Sequence, residues 1–207
     1  MTEPVSKNKK TSFTDFLRKH FKGILDPIGR FVNKLGIHPN TITLLGLFGH
    51  IGAAVLLAFG EIVWGGVVAL LMGPLDAIDG TMARLRGTAK PFGGFLDSIT
   101  DRYAEIFLLG GLLVHYSRQP AALPLFLIFL AVVGSLMVSY VKARAEAQGY
   151  QLNGGLLTRV ERYIIMTVCL LINRPMIALW ILAIFANITA WQRIWIVYRQ
   201  AVQKQDI

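Results

Sequence analysis

Six apolar stretches, each close to the length that a helix needs to cross a lipid bilayer, constrain the fold of this chain more than any other feature. Only 16% of its 207 residues are charged, whereas about a quarter are charged in a typical soluble domain. We place the stretches near residues 40–59, 62–84, 93–116, 121–146, 157–173 and 175–198. Asn40 or Thr41 should cap the first of them. The sequence therefore predicts an all-α integral membrane protein with six transmembrane helices.

The first 37 residues have a different character from the rest. Residues 1–11 are polar and lysine-containing, as in a cytoplasmic tail. Over residues 13–35, apolar side chains recur at helical spacing and basic side chains occupy the other faces, which is typical of an amphipathic helix in the membrane interface. A helix packed on a partner protein would show the same pattern. We therefore expect a tail and interfacial helix at 1–37 and a membrane domain at 38–207.

The distribution of basic residues predicts the orientation of the chain. The formal net charge is +9, and eight of the 21 Lys and Arg residues precede the first span. Most of the others gather between the second and third spans, around the fourth-to-fifth connection and after the sixth. The opposite side has only Arg118 and Arg174. By the positive-inside rule we expect a multi-pass protein of the cell (cytoplasmic) membrane with both termini cytoplasmic, and no nucleic-acid partner.

Four aspartates fall within 26 residues at the ends of the second and third predicted helices: Asp76, Asp79, Asp97 and Asp101. Carboxylates are costly in a bilayer and normally mark a function there. At about 100° per residue, the first pair shares a sector of its helix with Gly80 and Ala83, and the second pair forms an i, i+4 stripe. Two antiparallel helices joined by a short basic loop can bring these faces together at the cytoplasmic side of the membrane.

This concentration of carboxylates indicates metal ions. In a low dielectric the four groups would repel one another strongly unless they shared protons or cations. Hard oxygen ligands suit Mg²⁺ or Mn²⁺, and four of them could hold two divalent ions. Such a site is well matched to phosphoryl transfer, with Arg84 able to bind a phosphate through its planar fork. Burial for packing or helix capping could account for the presence of one aspartate in a membrane helix. It accounts much less well for four aspartates at this spacing.

The spacing D-x2-D-G-x2-A-R-x8-G-x3-D-x3-D resembles, at every defined position, the signature of the CDP-alcohol phosphatidyltransferase family of integral membrane enzymes. The signature runs from Asp76 to Asp101, and the predicted helix layout extends the resemblance over nearly the whole chain. The resemblance implies that an alcohol hydroxyl attacks the lipid-linked phosphate of a CDP-lipid, such as CDP-diacylglycerol or an ether-lipid analogue, and that CMP is released.

The resemblance also assigns roles to residues. It implies that the four aspartates bind two divalent metals, Mg²⁺ or Mn²⁺, and that Asp101 is the base that deprotonates the acceptor. Whether Asp101 is a true base or mainly a metal ligand is left open. The residues implied for the CDP-lipid site are Asn40, Thr41, Thr43, Gly80, Ala83 and Arg84.

The acceptor depends on basic residues farther along the chain. The positive-inside rule alone could explain them, but a pocket for a phosphorylated alcohol would also need them. The sequences around residues 139–146 and 159–162 resemble the branch of the family that makes phosphatidylinositol phosphate, or its archaeal ether-lipid counterpart, from inositol phosphate. That resemblance implies Lys142 and Arg162 as acceptor-phosphate contacts, with Arg159 and Arg193 as weaker candidates.

Three alternatives are left open by the sequence. Glycerol 3-phosphate is the second choice of acceptor within the same reaction. A divalent-cation transporter could use the same carboxylates, but the outer halves of the second and third helices are apolar apart from Glu61 and the inward-lying Glu105. The sequence also leaves a homodimer open.

Overall fold

The structure is a computed structural model that describes residues 27, 36, 38–85, 91–152 and 154–205, with the backbone alone at 76–81 and 83–85. Within these ranges the chain forms six α-helices. They are α1 (Pro39–Ala58), α2 (Ile62–Leu85), α3 (Pro91–Ser117), α4 (Ala122–Ala147), α5 (Arg159–Leu171) and α6 (Pro175–Lys204). The tail and interfacial helix predicted for residues 1–37 lie outside the described residues, except for Pro27 and Gly36.

The helices coincide with the six predicted segments to within two residues at each end, except that α6 continues six residues beyond its predicted end at 198. The cap of the first helix also differs from the prediction. His38, rather than Asn40 or Thr41, is the N-cap of α1, and its Nδ1 accepts a hydrogen bond of 3.3 Å from the Asn40 amide. Pro39 occupies the first helical position, where its missing N–H costs nothing. Farther along, Glu161 accepts a hydrogen bond from the Thr158 amide at the start of α5.

Three of the helices in the described part of the chain, α1, α4 and α6, are long and apolar enough to cross a membrane. In α2, the part whose side chains are described continuously, Ile62–Leu75, is a shorter apolar stretch. Charged residues also interrupt α3, and the 13 residues of α5 span only about 20 Å at 1.5 Å per residue. The prediction of a helical membrane protein is confirmed, while the count of six transmembrane spans stays a prediction.

The helices pack as two groups that meet through α5 and through a contact between α3 and α4. In one group α1 packs against both α2 and α3, and in the other α4 lies along α6. α5 contacts α2 and α6, and α3 contacts α4. Leucines from α1, α3, α4, α5 and α6 form the shared apolar core, including Leu57, Leu109, Leu127, Leu170 and Leu182. The described helices therefore form one bundle rather than two separate units.

Buried and partly buried polar side chains connect neighbouring helices. The Glu105 carboxylate of α3 accepts a hydrogen bond of 2.7 Å from Ser135 Oγ of α4. The same carboxylate accepts two from Arg162 of α5, at 2.8 Å from Nε and 2.9 Å from Nη2. Asn187 of α6 donates to the Leu130 carbonyl of α4 at 2.9 Å. Each contact joins two helices that the apolar core also holds together.

The contact between Gly111 of α3 and the backbone of α1 predicts a strong effect of one added methyl group. A Cβ at Gly111 would collide with the Ala54 carbonyl oxygen and lie 2.9 Å from Ala54 Cα, whereas one at Gly110 would meet nothing within 4 Å. Gly111→Ala should therefore destabilise the protein by about 1–3 kcal/mol, because α1 and α3 must move apart. Thermal unfolding in detergent, followed by labelling of the buried Cys169 thiol, measures the effect. Gly110→Ala is the matched control, and an equal effect of both substitutions would contradict the described packing.

The ion pair of Glu105 and Arg162, whose side chains are 18% and 2% exposed, predicts a second difference in stability. Glu105→Gln leaves the Arg162 charge without its partner, and removing one member of a buried pair costs about 3–5 kcal/mol. The exposed pair of Lys142 and Glu146, 3.7 Å apart, should contribute only about 0–1 kcal/mol. Glu146→Gln is therefore the control in the same unfolding measurement. The prediction fails if Glu105→Gln unfolds at the wild-type temperature.

Candidate active site

Contacts with α1 show how α2 and α3 are placed along the bundle. A Cβ on Gly93 of α3 would lie 3.8 Å from Asn40 Oδ1, near the start of α1. Gly111 meets Ala54 near the other end of α1, so α3 runs parallel to α1. Small residues let the two backbones approach at this crossing.

α2 runs in the opposite direction on α1. A Cβ on Gly49 of α1 would collide with the Met72 side chain, and one on Gly46 would lie 3.8 Å from Leu75 Cβ. The residues that follow Leu75 along α2 therefore lie beside the first turns of α1. In the described residues α2 and α3 pack on α1 rather than closely along each other.

The two orientations place all four aspartates at one level of the bundle. Asp76 and Asp79 directly follow Leu75, and Asp97 and Asp101 come one and two turns after Gly93. Both pairs are therefore level with about the first three turns of α1. The structure does not describe the side chains of Asp76 and Asp79. The backbone thus brings the two pairs to one level through their common neighbour, α1, while the convergence of their side chains stays a prediction.

The two aspartates on α3 have different surroundings. Asp97 is half-buried, whereas the whole Asp101 residue is only 8% exposed. The Asp101 carboxylate forms an ion pair with Arg159, the first residue of α5, and lies 3.6 Å from Arg102 Nη1. Two arginines thus counter the charge of this carboxylate in the described structure.

Of the residues predicted for the CDP-lipid, those on α1 are described with their side chains. Asn40 is half-buried and lies beside Gly93, Thr43 is buried, and Thr41 is exposed. Thr43 Oγ1 donates to the Pro39 carbonyl at 3.3 Å. The side chains of Ala83 and Arg84, like the surroundings of Gly80, lie outside the described residues. Their assignment to the CDP-lipid stays a prediction.

The four basic residues predicted for the acceptor differ in what they contact. Lys142 is exposed and pairs with Glu146, while Arg159 is partly exposed and pairs with Asp101. Arg162 is only 2% exposed, with two of its N–H groups directed at Glu105 and Nη1 3.5 Å from the Leu157 carbonyl oxygen.

Arg193 is the most unusual of these residues. It is 5% exposed, and it donates to the carbonyl oxygens of Val138 at 2.5 Å and Gly154 at 3.1 Å. Its Nε is buried with no hydrogen-bond partner, and among the described residues no carboxylate pairs with its guanidinium. A cation in this state favours an anion that could neutralise it.

The loop before α5 connects these arginines. The Gly154 carbonyl accepts from Arg193, and the Leu157 amide donates to Thr189 Oγ1 of α6 at 3.1 Å. Thr158 then leads directly into Arg159. The loop thus places Arg159, Arg162 and Arg193 at the end of the bundle that carries the aspartates.

Sequence reasoning missed several residues that shape the site. Glu105 was noted only as inward-lying, although it continues the stripe of Asp97 and Asp101 by one more helical turn. Neither Tyr163 nor His50 belongs to the acidic motif or to the basic residues that the sequence marks as a candidate site. His50 and Tyr163 are 113 positions apart in sequence, so no local pattern could have paired them.

Comparison with known proteins identifies the family of the chain. The family model described as CDP-alcohol phosphatidyltransferase matches residues 36–199. The chain is 36% identical over 187 residues to the phosphatidylinositol phosphate synthase of Corynebacterium glutamicum, covering 86% of this chain and 85% of that protein. It is 34% identical over 184 residues to the archaetidylinositol phosphate synthase of Pyrococcus horikoshii, covering 86% and 93%.

Solved structures show the same similarity. The phosphatidylinositol phosphate synthase of Mycobacterium tuberculosis in complex with manganese and citrate superposes with a TM-score of 0.79 at 31% identity, covering 84% of this chain and 88% of that one. The same enzyme with CDP-DAG bound gives a TM-score of 0.79 at 31% identity, covering 84% and 94%. This chain belongs to the CDP-alcohol phosphatidyltransferase family and is a transferase of phospholipid biosynthesis.

Proposed function

We propose that this enzyme transfers the phosphatidyl group of CDP-diacylglycerol to a hydroxyl of inositol phosphate and releases CMP. The observation that carries the proposal is that relatives at 34–36% identity, matched over 85–93% of their length, are named for making inositol-phosphate lipids. A solved relative also contains CDP-DAG. The cytidine-side contacts would come from Asn40 and Thr43 with Thr41 nearby, and from Gly80, Ala83 and Arg84 on α2.

The buried charge of Arg193 supports a phosphorylated acceptor. Burying a guanidinium is costly when no anion accompanies it, and among the described residues Arg193 has only carbonyl partners. A phosphate has the charge and the acceptor oxygens that this group lacks. Arg159 and Lys142 would contact the same phosphate from the partly exposed side. Arg162 would contribute its positive charge to the phosphate site rather than direct hydrogen bonds, because its N–H groups are already directed at protein oxygens.

The donor set fits divalent metal ions. The carboxylates at 76, 79, 97 and 101 lie level with one stretch of α1, and carboxylate oxygens are the ligands that Mg²⁺ and Mn²⁺ prefer. A relative was solved with manganese. We propose that these four aspartates hold two such ions. When bound, the ions would neutralise the pyrophosphate and stabilise the attacking and leaving oxygens.

Side chains of the protein would hold the acceptor and take its hydroxyl proton. The acceptor hydroxyl oxygen forms a bond to the lipid-linked phosphorus, and the bond from that phosphorus to the oxygen of CMP breaks. CMP leaves with the electron pair of the broken bond, and Asp101 takes the hydroxyl proton. Arg159, which contacts Asp101 in this structure, would hold the acceptor phosphate close to that carboxylate.

The arrangement also supports a cytoplasmic active site. The site end of the bundle carries Lys142, Arg159, Arg162 and Arg193, as expected for the cytoplasmic side of a membrane. Inositol phosphate is water-soluble and CDP-diacylglycerol is a lipid, so a site at this edge could receive both.

A comparison of acceptors tests the proposal directly. Purified enzyme with CDP-diacylglycerol and Mg²⁺ should release CMP at least about tenfold faster with inositol phosphate than with glycerol 3-phosphate, inositol or serine, a difference of about 1.4 kcal/mol in transition-state binding. CMP is measured by chromatography. Asp97→Asn, which removes one metal ligand, is the inactive control. Faster release with glycerol 3-phosphate would overturn the acceptor, and metal transport into vesicles without CMP formation would overturn the enzyme.

The proposed role of Arg159 predicts that its removal changes the Michaelis constant for inositol phosphate. Arg159→Ala should raise KM for inositol phosphate by about tenfold or more, because a charge-assisted contact to phosphate is lost. KM for CDP-diacylglycerol should change by less than about threefold. Arg199→Ala, which removes an exposed arginine farther along α6, is the matched control. An unchanged KM for inositol phosphate in Arg159→Ala would exclude Arg159 from the acceptor pocket.

A further inference from the structure

The Tyr163 side chain of α5 joins α1 and α2 just before the first aspartate of the motif. Its hydroxyl donates to the Ala69 carbonyl of α2 at 2.5 Å and lies 2.8 Å from Nε2 of His50 on α1. The two rings also contact each other edge to face, with centroids 5.7 Å apart. One phenol thus connects three helices.

The ring of Tyr163 also occupies the space beside Gly73. A Cβ at Gly73 would lie 2.7 Å from Tyr163 Cε1 and 3.2 Å from its hydroxyl oxygen. Only a glycine lets the α2 backbone lie directly against this ring. The contact is one turn before Asp76 in the same helix.

α2 needs outside support at this place. Pro74 lies inside the helix and has no N–H, so the Leu70 carbonyl lacks its usual helical donor. In membrane helices, neighbouring helices usually supply the contacts that such a break removes. Here Tyr163 contacts α2 on one side, at Ala69 and Gly73. On another side, Gly46 and Gly49 of α1 let that helix approach closely.

His50 in turn determines the position of Tyr163. His50 is buried, and its Nδ1 lies 2.7 Å from the Gly46 carbonyl oxygen. A carbonyl only accepts, so Nδ1 carries a proton, and the imidazole plane is held by the backbone of its own helix. Nε2 therefore faces the Tyr163 hydroxyl as an acceptor, and it shares the single hydroxyl proton with the Ala69 carbonyl. The chain of contacts runs from α1 through His50 and Tyr163 to α2.

We propose that Tyr163 is a positioning residue for the metal site, supported by His50. By holding Ala69 and Gly73 on the near side of Pro74, it determines the direction in which α2 continues into Asp76 and Asp79. The proposal rests on the metal-binding role proposed above for these aspartates. It does not depend on which alcohol is the acceptor.

Direct metal binding tests the proposal without turnover. Tyr163→Phe keeps the ring against Gly73 and removes only the hydroxyl contacts. We expect the apparent Kd for Mn²⁺, measured by electron paramagnetic resonance on purified protein without CDP-lipid or acceptor, to rise about tenfold, the size of effect seen when groups that orient metal ligands are removed. The unfolding temperature should fall by no more than about 4 °C. Tyr116→Phe, which removes a hydroxyl from a buried tyrosine at the far end of α3, should leave the affinity unchanged.

A second variant separates positioning from general packing. Gly73→Ala keeps the hydroxyl but pushes the ring away, so it should also weaken Mn²⁺ binding. In a Tyr163→Ala background, where the space is open, the same change should have a smaller effect. If Tyr163→Phe does not fold, the apparent Kd for Mn²⁺ of Gly73→Ala tests the proposal in its place.

The outcomes distinguish this inference from the proposed function. Mn²⁺ binding within about twofold of wild type in Tyr163→Phe, or an equal loss in Tyr116→Phe, would overturn the positioning role while leaving the metal site intact. If wild-type protein bound no Mn²⁺, the proposed metal site would fail and the inference with it. A preference for glycerol 3-phosphate as acceptor would overturn the proposed substrate alone.

Discussion

Charged side chains in an apolar bundle need partners of opposite charge, and this requirement governs how α5 meets α3. Asp101 and Glu105 are one turn apart on α3, and Arg159 and Arg162 are nearly one turn apart on α5. The two ion pairs therefore form along a single contact between the helices. A shift of either helix by one residue would disturb both pairs, and an unpartnered buried charge costs several kcal/mol, about 3–5 by mutational measures. The same pairing that stabilises the bundle thus places Arg159 at the carboxylate where chemistry is proposed.

α1 has the complementary role of placing the aspartates. It carries small residues toward α2 at Gly46 and Gly49, and it receives Gly111 of α3 against its own backbone. Since α2 and α3 both follow its surface, their acidic segments come to the same level without packing closely on each other. Space for a bulky donor beside the carboxylates is consistent with this arrangement. Among the described helices, the one with the fewest charged residues therefore positions the two helices that carry the aspartates.

Much of the architecture could be predicted from local sequence. Apolar runs separated by short polar connections are enough to locate six helices, because helix length and hydropathy depend on neighbouring residues. The acidic motif was also readable, since its period places Asp97 and Asp101 on one face and its spacing is that of a known family. Arg162 and Arg193 were recognised as significant, but their partners were not. Glu105 and the carbonyl oxygens of Val138 and Gly154 come from other helices and loops, and no spacing rule relates them.

The sequence by itself determined a helical membrane protein with a carboxylate motif and a surplus of basic residues near it, because composition, period and motif spacing are local properties of the chain. Only the tertiary structure decided that Arg162 pairs with the partly buried Glu105. It also decided that, among the described residues, Arg193 has only carbonyl oxygens as partners. It also decided that Tyr163, from a helix late in the chain, supports α2 before Asp76. These outcomes depend on which helix faces meet, and helix packing is set by the fit of side chains brought together from distant segments of the chain.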